Sequence, residues 1–250
     1  MKPEELETRM RALEVFRALR IHPNAWTIIR LDGRGFTRFT AHRFTKPFDE
    51  GLRDIMIEAA SAILRDFQGV YAYTYSDELS IVFAPEWEIF SGRAEKLVSV
   101  SAGLVSATFT KACGEVAHFD SRICQSQRQD EVIDYFRWRQ SDAARCALHG
   151  WCYWTLRQAG MSEEEATRLL DRQDADHQKS LLSHYGIDFD QVPLWQRRGV
   201  GVYWQTYEKA GYDPVQGEAV LARRRKITRQ LELPVADAYS EFLQALLGHL

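Results

Sequence analysis

Cysteine is scarce: four residues in 250, at Cys113, Cys124, Cys146 and Cys152. They form neither a Cys-x-x-Cys pair nor a Cys/His cluster at zinc spacing, so no zinc or dithiol motif is present. Free thiols, mostly buried and kept reduced in a cytoplasm, are the expectation. Long apolar runs are missing too. No stretch approaches the roughly 18 residues of a membrane span, which excludes an integral helical membrane protein. The first twenty residues are charged throughout and lack the apolar centre of a secretory signal, so a cytoplasmic location is expected. Internal repeats, low-complexity tracts and Pro/Gly-rich linkers are absent, which argues against two flexibly joined domains. No excess of positive charge exists either. The 32 Lys and Arg against 35 Asp and Glu leave a net charge of −3, which argues against a protein that coats nucleic acid indiscriminately.

What is present is ordinary globular composition: 45% hydrophobic and 27% charged residues. That is enough apolar surface to offset chain entropy, so disorder is not the main state. The length fits one large domain, or one domain with a substantial appendage. Two basic clusters, Gln196-Arg197-Arg198 and Arg223-Arg224-Arg225-Lys226, are read as solvated strand ends.

The pattern along the chain predicts α+β structure. Ala25 to Leu31 is β-branched and follows Pro23-Asn24, so it reads as a strand ended by Asp32-Gly33-Arg34-Gly35. Asp49, after Pro47, caps a helix whose apolar positions run from Leu52 to Phe67 at helical spacing. Val70 to Tyr75 and Leu79 to Ala84 form a hairpin across Ser76-Asp77-Glu78. Ser91 is expected to cap a second helix that Gly114 ends, and Ala117 to Cys124 is a fourth strand. The order β-α-β-β-α-β is the split, ferredoxin-like arrangement. Right-handed crossovers make its first two strands parallel, with the third antiparallel between them. Asp32 and Asp77 should therefore meet, although they are distant in sequence.

The second half reads as helix-rich. One or two aromatic-rich helices span Asp130 to Gly160, and Ser162 with Glu165 makes a capping box for the next, which runs to about Gln173. A helix over Asp176 to Tyr185, a strand pair (Gly199 to Tyr207, Ala219 to Leu231) around Gly211 to Pro214, and a helix from Ala236 to Leu247 complete it. The expected division is a catalytic region over residues 1–125 and a helical, hairpin-bearing extension over 126–250, packed as one unit. The aromatics of the long helical segment are expected mostly in the core.

Carboxylates at a strand end (Asp32) and on a facing hairpin (Asp77, Glu78) repel one another unless a cation lies between them. Hard oxygen ligands of this kind suit Mg²⁺ with phosphate oxygens, and two such ions can clamp an in-line phosphoryl displacement. Gly33 and Gly35 let backbone N–H groups approach a phosphate.

These residues resemble a known family. Arg30-Leu31-Asp32-Gly33-Arg34-Gly35-Phe36-Thr37-Arg38-Phe39 resembles the nucleotide and metal motif of the tRNAHis guanylyltransferases and their like-protein branch. Lys46-Pro47-Phe48-Asp49, Ser76-Asp77-Glu78-Leu79-Ser80, Phe119-Asp120-Ser121-Arg122 and Asp134 to Gln140 are similar to further family segments, in the same order, between about Trp26 and Trp204. The resemblance implies a polymerase-like palm that works in the 3′-to-5′ direction. A tRNA 5′-monophosphate is activated by ATP. The 3′-hydroxyl of an incoming nucleotide, typically GTP, then attacks it. The resemblance also implies that Asp32, the Gly33 carbonyl and Asp77 hold Mg²⁺, with Glu78 in support as a catalytic carboxylate. Arg34, Gly35, Phe36 and Thr37 belong to the nucleotide motif. Ser76, Lys46, Arg93 and Lys96 match triphosphate contacts. A homo-oligomer, a tetramer by resemblance, is implied as well.

The chain departs from the pattern at other positions. Ala144-Arg145-Cys146-Ala147 replaces His-Ile-Asn-Asn, and Thr37, Phe48, His177 and Asp188 replace other family residues. The metal set is kept while substrate-reading positions change. That implies template-directed repair of the 5′ end of tRNA or another RNA rather than strict guanylylation. Two other classes compete. A non-catalytic nucleotide- or RNA-binding palm protein need not keep a repulsive acidic pair. A small-molecule cyclase needs no helical second half with basic clusters.

Overall fold

The computed structural model describes residues 2–213 and 218–248. Its strands are β1 (Trp26–Gly33), β2 (Tyr71–Tyr75), β3 (Glu78–Phe83), β4 (Phe119–Ser126), β5 (Val200–Asp213) and β6 (Glu218–Gln230). Among the described residues the helices are α1 (Pro3–Arg11), α2 (Phe36–Thr40), α3 (Glu50–Asp66), α4 (Ala94–Cys113), α5 (Gln129–Gln158), α6 (Glu163–Leu170), α7 (Ala175–His184), α8 (Leu194–Arg198) and α9 (Ala236–Leu247). One antiparallel sheet takes the order β4-β1-β3-β2-β5-β6. Both β1 and β2 pair antiparallel with β3, so they run parallel to each other with β3 between them.

Strand alternation divides the core. Ile29, Leu31, Leu79 and Ile81 face α3 and α4 and pack with Ile63, Leu64, Leu97, Val105 and Phe109. Ile28, Val82, Tyr71 and Tyr73 face α5 and α9, against Ile133, Phe136, Tyr239 and Leu243. A third cluster lies in the helical region, where Leu148, Cys152 and Leu156 of α5 meet Ala166, Leu170 and Leu182. The single helix α5 links the last two clusters. Its 30 residues span about 45 Å at 1.5 Å per residue.

Several local expectations change. β1 runs on through Asp32 and Gly33, because β4 continues to pair with it as far as Gly33 and Phe119. Ser91 does not cap α4. Phe90, Ser91 and Gly92 form a tight turn with positive φ, and Arg93 takes the N-cap position without a side-chain cap. The expected strand pair does more than pack beside the first half: β5 hydrogen-bonds to β2 and widens the sheet. The turn expected around Gly211 to Pro214 gives way to β5 as far as Asp213, and Pro214 lies outside the described residues. All four cysteines are free, but only Cys152 is buried; Cys146 is exposed. The Gln196-Arg197-Arg198 cluster sits on α8, not at a strand end. Arg197 donates to the carbonyls of Val192 and Asp190, and Arg198 to that of Leu233.

Candidate active site

The register of three adjacent strands builds a charged surface. Asp120, Asp32 and Glu78 stand side by side across β4, β1 and β3. Two residues earlier on β1, the same pairing aligns Arg122, Arg30 and Ser80. Cross-strand neighbours on one face lie about 5 Å apart, and like charges placed so are destabilising. Two of the three acids are compensated. Arg139 of α5 grips Glu78 with both fork nitrogens, at 2.7 and 2.6 Å, and Arg122 donates to Asp120 at 2.8 Å. Asp32 has no side-chain hydrogen bond or ion pair among the described residues.

The β2–β3 hairpin brings Asp77 to the same place. Its loop is only Ser76-Asp77, and Ser76 takes φ +54° to close it. The Ser76 hydroxyl donates to Asp77 Oδ1 at 2.9 Å. Burial pushes the Asp77 carboxyl up to about 6, and the nearby Asp32 and Glu78 charges add to the rise. Burial also raises Glu78, against the opposing pull of Arg139.

These carboxylates border a cleft of about 410 Å³, within the range of small-ligand sites. Lys46 enters it from the loop before α3. Its ammonium donates to Thr40 Oγ1 at 2.6 Å and lies 5.6 Å from the Trp154 ring centroid. Burial lowers the Lys46 pKa, with Asp77 and Asp49 opposing. The remaining wall is aromatic. Phe48 lies 5.9 Å from Tyr75 and 6.0 Å from Trp195, and the Arg53 guanidinium covers Trp195 at 4.7 Å. The cleft thus joins the unpaired Asp32, the Asp77 carboxylate, the Lys46 ammonium and flat apolar rings, which are complementary to a metal-bound phosphate, its charge and a nucleobase face.

The glycines of the motif have structural reasons. A Cβ on Gly33 would meet the Phe36 ring at 2.2 Å. Gly35 has φ +70° and open space around it, so its backbone alone demands glycine. Phe36 itself is buried among Phe39, Phe109 and Phe119, although it also borders the cleft. Thr37 borders the cleft, while Arg34 is exposed and does not.

Arg93 and Lys96 are not brought to this cleft. α4 starts after the end of β3, which lies beside the beginning of β1, so they stand at the opposite end of the sheet from Asp32. There Arg93 bridges to Arg20. Of the altered family positions, Thr37, Phe48 and Cys146 line the cleft. Ala144, His177 and Asp188 do not; His177 hydrogen-bonds Asp174 on the surface and Asp188 caps a short turn. Sequence reasoning missed Arg139, Asp142, Trp154, Trp195 and Arg53. Arg139 and Asp142 share one face of α5, a spacing visible in the sequence, but nothing there assigned that face to the hairpin.

Residues 7–129 match the family model described as tRNAHis guanylyltransferase, and residues 130–238 match the model of the Thg1 C terminal domain. A probable tRNA(His) guanylyltransferase of Drosophila melanogaster is 31% identical over 191 residues, covering 72% of this chain and 67% of that protein. The chain belongs to the tRNAHis guanylyltransferase family. A bacterial tRNA(His) guanylyltransferase (Thg1)-like protein in complex with GTP shares its fold at a TM-score of 0.72 and 25% identity, with 97% of this chain and 99% of that one covered. A structure of such a protein in complex with ATP, at 24% identity and the same coverage, superposes with a TM-score of 0.75. Membership also places the family's two models on either side of the start of α5, the helix that supplies Arg139.

Proposed function

We propose that this guanylyltransferase relative is an RNA nucleotidyltransferase that extends the 5′ end of tRNA in the 3′-to-5′ direction on a ferredoxin-like palm. The observation that carries this reading is the cleft in which Asp32 and Asp77 converge beside Lys46. An RNA 5′-phosphate oxygen attacks the α-phosphorus of ATP and releases pyrophosphate. The 3′-hydroxyl of the incoming nucleotide then attacks that 5′-phosphorus and releases AMP.

The residues present fit Mg²⁺. Among the described residues Asp32 has no hydrogen-bond or ion-pair partner within its acidic row, and Asp77 is a neighbouring hard oxygen donor. Asp32, Asp77 and the Gly33 carbonyl would hold the metal. Bound there, it would neutralise charge on the phosphoryl oxygens and orient the attacking hydroxyl. Glu78 serves the site through Arg139, which fixes its carboxylate. The Lys46 ammonium faces the triphosphate. Phe48, Tyr75 and Trp195 take the base by its face.

A base held by its face is not chosen by its edge. Phe48 offers no hydrogen bond whose loss would penalise a wrong base. The opposing RNA base therefore selects the nucleotide, and the activity is template-directed 5′-end repair. The test is a 5′-monophosphorylated tRNA lacking its first nucleotide, with C, G, A or U opposite the gap. With ATP, Mg²⁺ and each nucleoside triphosphate, the added nucleotide should follow the opposing base. Addition of G alone would restore a dedicated guanylyltransferase. No addition to any of the four would favour a non-catalytic binding protein.

A further inference from the structure

Trp138 breaks the pattern of the aromatic helix. Its neighbours Tyr135 and Phe136 pack toward the sheet, but Trp138 is 52% exposed. Two guanidinium groups lie against its ring, Arg139 at 4.5 Å and Arg30 at 5.7 Å from the centroid. Arg139 is committed to Glu78. Beyond that ring contact, the Arg30 side chain makes no ion pair and no hydrogen bond among the described residues. It stands directly across from the half-exposed Arg122, a like-charge pair that disfavours the sheet. Two residues further along β1, about 7 Å at strand rise, is Asp32.

The row Asp120–Asp32–Glu78 separates two surfaces. On one side is the cleft with Lys46, Phe48 and Trp195. Arg30, Arg122 and Trp138 do not line it; they lie on the other side, toward the β4 edge. A reaction that joins two phosphorylated molecules at Asp32 needs such a second surface. An exposed indole beside the unpaired Arg30 fork, with Arg122 held to Asp120 through one nitrogen at a half-exposed contact, has the chemistry of a stacking base followed by phosphate oxygens.

We propose that Trp138, Arg30 and Arg122 form the platform that receives the RNA. The terminal base stacks on the indole, and Arg30 and Arg122 hold backbone phosphates, so that the 5′-phosphate reaches Asp32 and Asp77. This assignment rests on the reading that the chain transfers nucleotides to an RNA end, and it makes Trp138 a positioning residue.

The experiment compares the full chain with Trp138→Ala, Trp138→Phe and the double variant Arg30→Gln/Arg122→Gln, using the 5′-truncated tRNA. Trp138→Ala should raise the KM for RNA at least about tenfold and leave the KM for the nucleoside triphosphates where it is. Trp138→Phe should recover most of the loss. The arginine double variant should flatten the dependence of log affinity on log salt by about two. Unchanged RNA affinity in Trp138→Ala, or RNA and nucleotide KM rising together, overturns the platform. Should a variant fail to fold, the unmodified protein still decides. A 4-thiouridine at the RNA 5′ end should crosslink to the peptide carrying Trp138, and crosslinks only to Arg223–Lys226 count against it. If the unmodified chain neither binds nor extends any RNA, the transferase reading falls together with the platform. If it does both and the variants match it, the platform alone falls.

Discussion

Asp32 and Asp77 owe their candidate role to what surrounds them. Both other acids of the row have an arginine, and Asp32 has none among the described residues. Replacing Asp32 or Asp77 by alanine should remove at least roughly a hundredfold of transfer rate, as loss of a charge-stabilising group does. It should leave the circular dichroism spectrum and melting temperature in place or slightly improved, since carboxylate repulsion is relieved. Full activity in either variant would refute the site. Lys46 is the single cationic side chain within the described cleft that also contacts Thr40. Lys46→Ala should raise the nucleotide KM about tenfold, equivalent to roughly 1.4 kcal/mol. Steady-state kinetics with ATP and GTP in turn check this, and an unchanged KM for both contradicts it. Gly33 illustrates a different kind of necessity. A side chain there collides with the Phe36 ring, so Gly33→Ala should cost about 1–3 kcal/mol in denaturant titration, before any effect on phosphate binding.

At the scale of elements, caps and ties place the site. Asp49 accepts from the Leu52 amide at 3.0 Å and from the Thr45 amide at 2.9 Å, which fixes both the start of α3 and the loop that carries Lys46. Burial alone would raise the Asp49 pKa, but these backbone donors outweigh it and hold the carboxyl below its usual value. Asp49→Ala should destabilise by about 1 kcal/mol and lower the melting temperature by about 2–4 °C. The tie between α5 and the hairpin is stronger. Arg139 and Glu78 are only 12% and 19% exposed, so breaking the pair leaves a charge with little water. Arg139→Met should cost about 3 kcal/mol, and adding Glu78→Leu should return most of it. Urea midpoints of the two variants measure this; equal midpoints would show that the pair holds nothing in place.

For the whole molecule, charge is distributed rather than abundant. The net charge is −3, yet Arg223 to Lys226 lie along the exposed ribbon formed by β5 and β6. Arg225 stacks over Trp204 and Lys226 over Tyr207. A slightly acidic protein of this kind should hold RNA through a handful of phosphate contacts. Its affinity should fall as salt rises, with a slope of a few units on logarithmic axes. Filter binding of tRNA from low to moderate salt measures the slope, and salt-independent affinity would contradict it. On the face of the sheet that it shares with α9, α5 carries the Arg139–Glu78 tie, and further along it gives Leu148, Cys152 and Leu156 to the cluster with α6 and α7, so one helix contacts both the site and the helical region.

Local signals were sufficient for much of this. The Asp49 cap, the Ser162–Glu165 box, the 3.6-residue spacing of α3 and α4 and the short hairpin are properties of neighbouring residues, and they appear as read. The meeting of Asp32 with the Asp77 hairpin followed from strand order and crossover handedness, which constrain topology before any packing is known. Tertiary structure decided what depends on partners distant in the chain. The register of β4 against β1 put Asp120 beside Asp32 and Arg122 beside Arg30. The approach of α5 gave Glu78 to Arg139, and the end of the sheet at which α4 begins kept Arg93 and Lys96 away from the cleft. Sequence carried the periodicities, because those are set by bonds along the chain. It could not carry the pairings, because a one-residue change of register or a rotation of α5 would alter every one of them without altering a single local pattern.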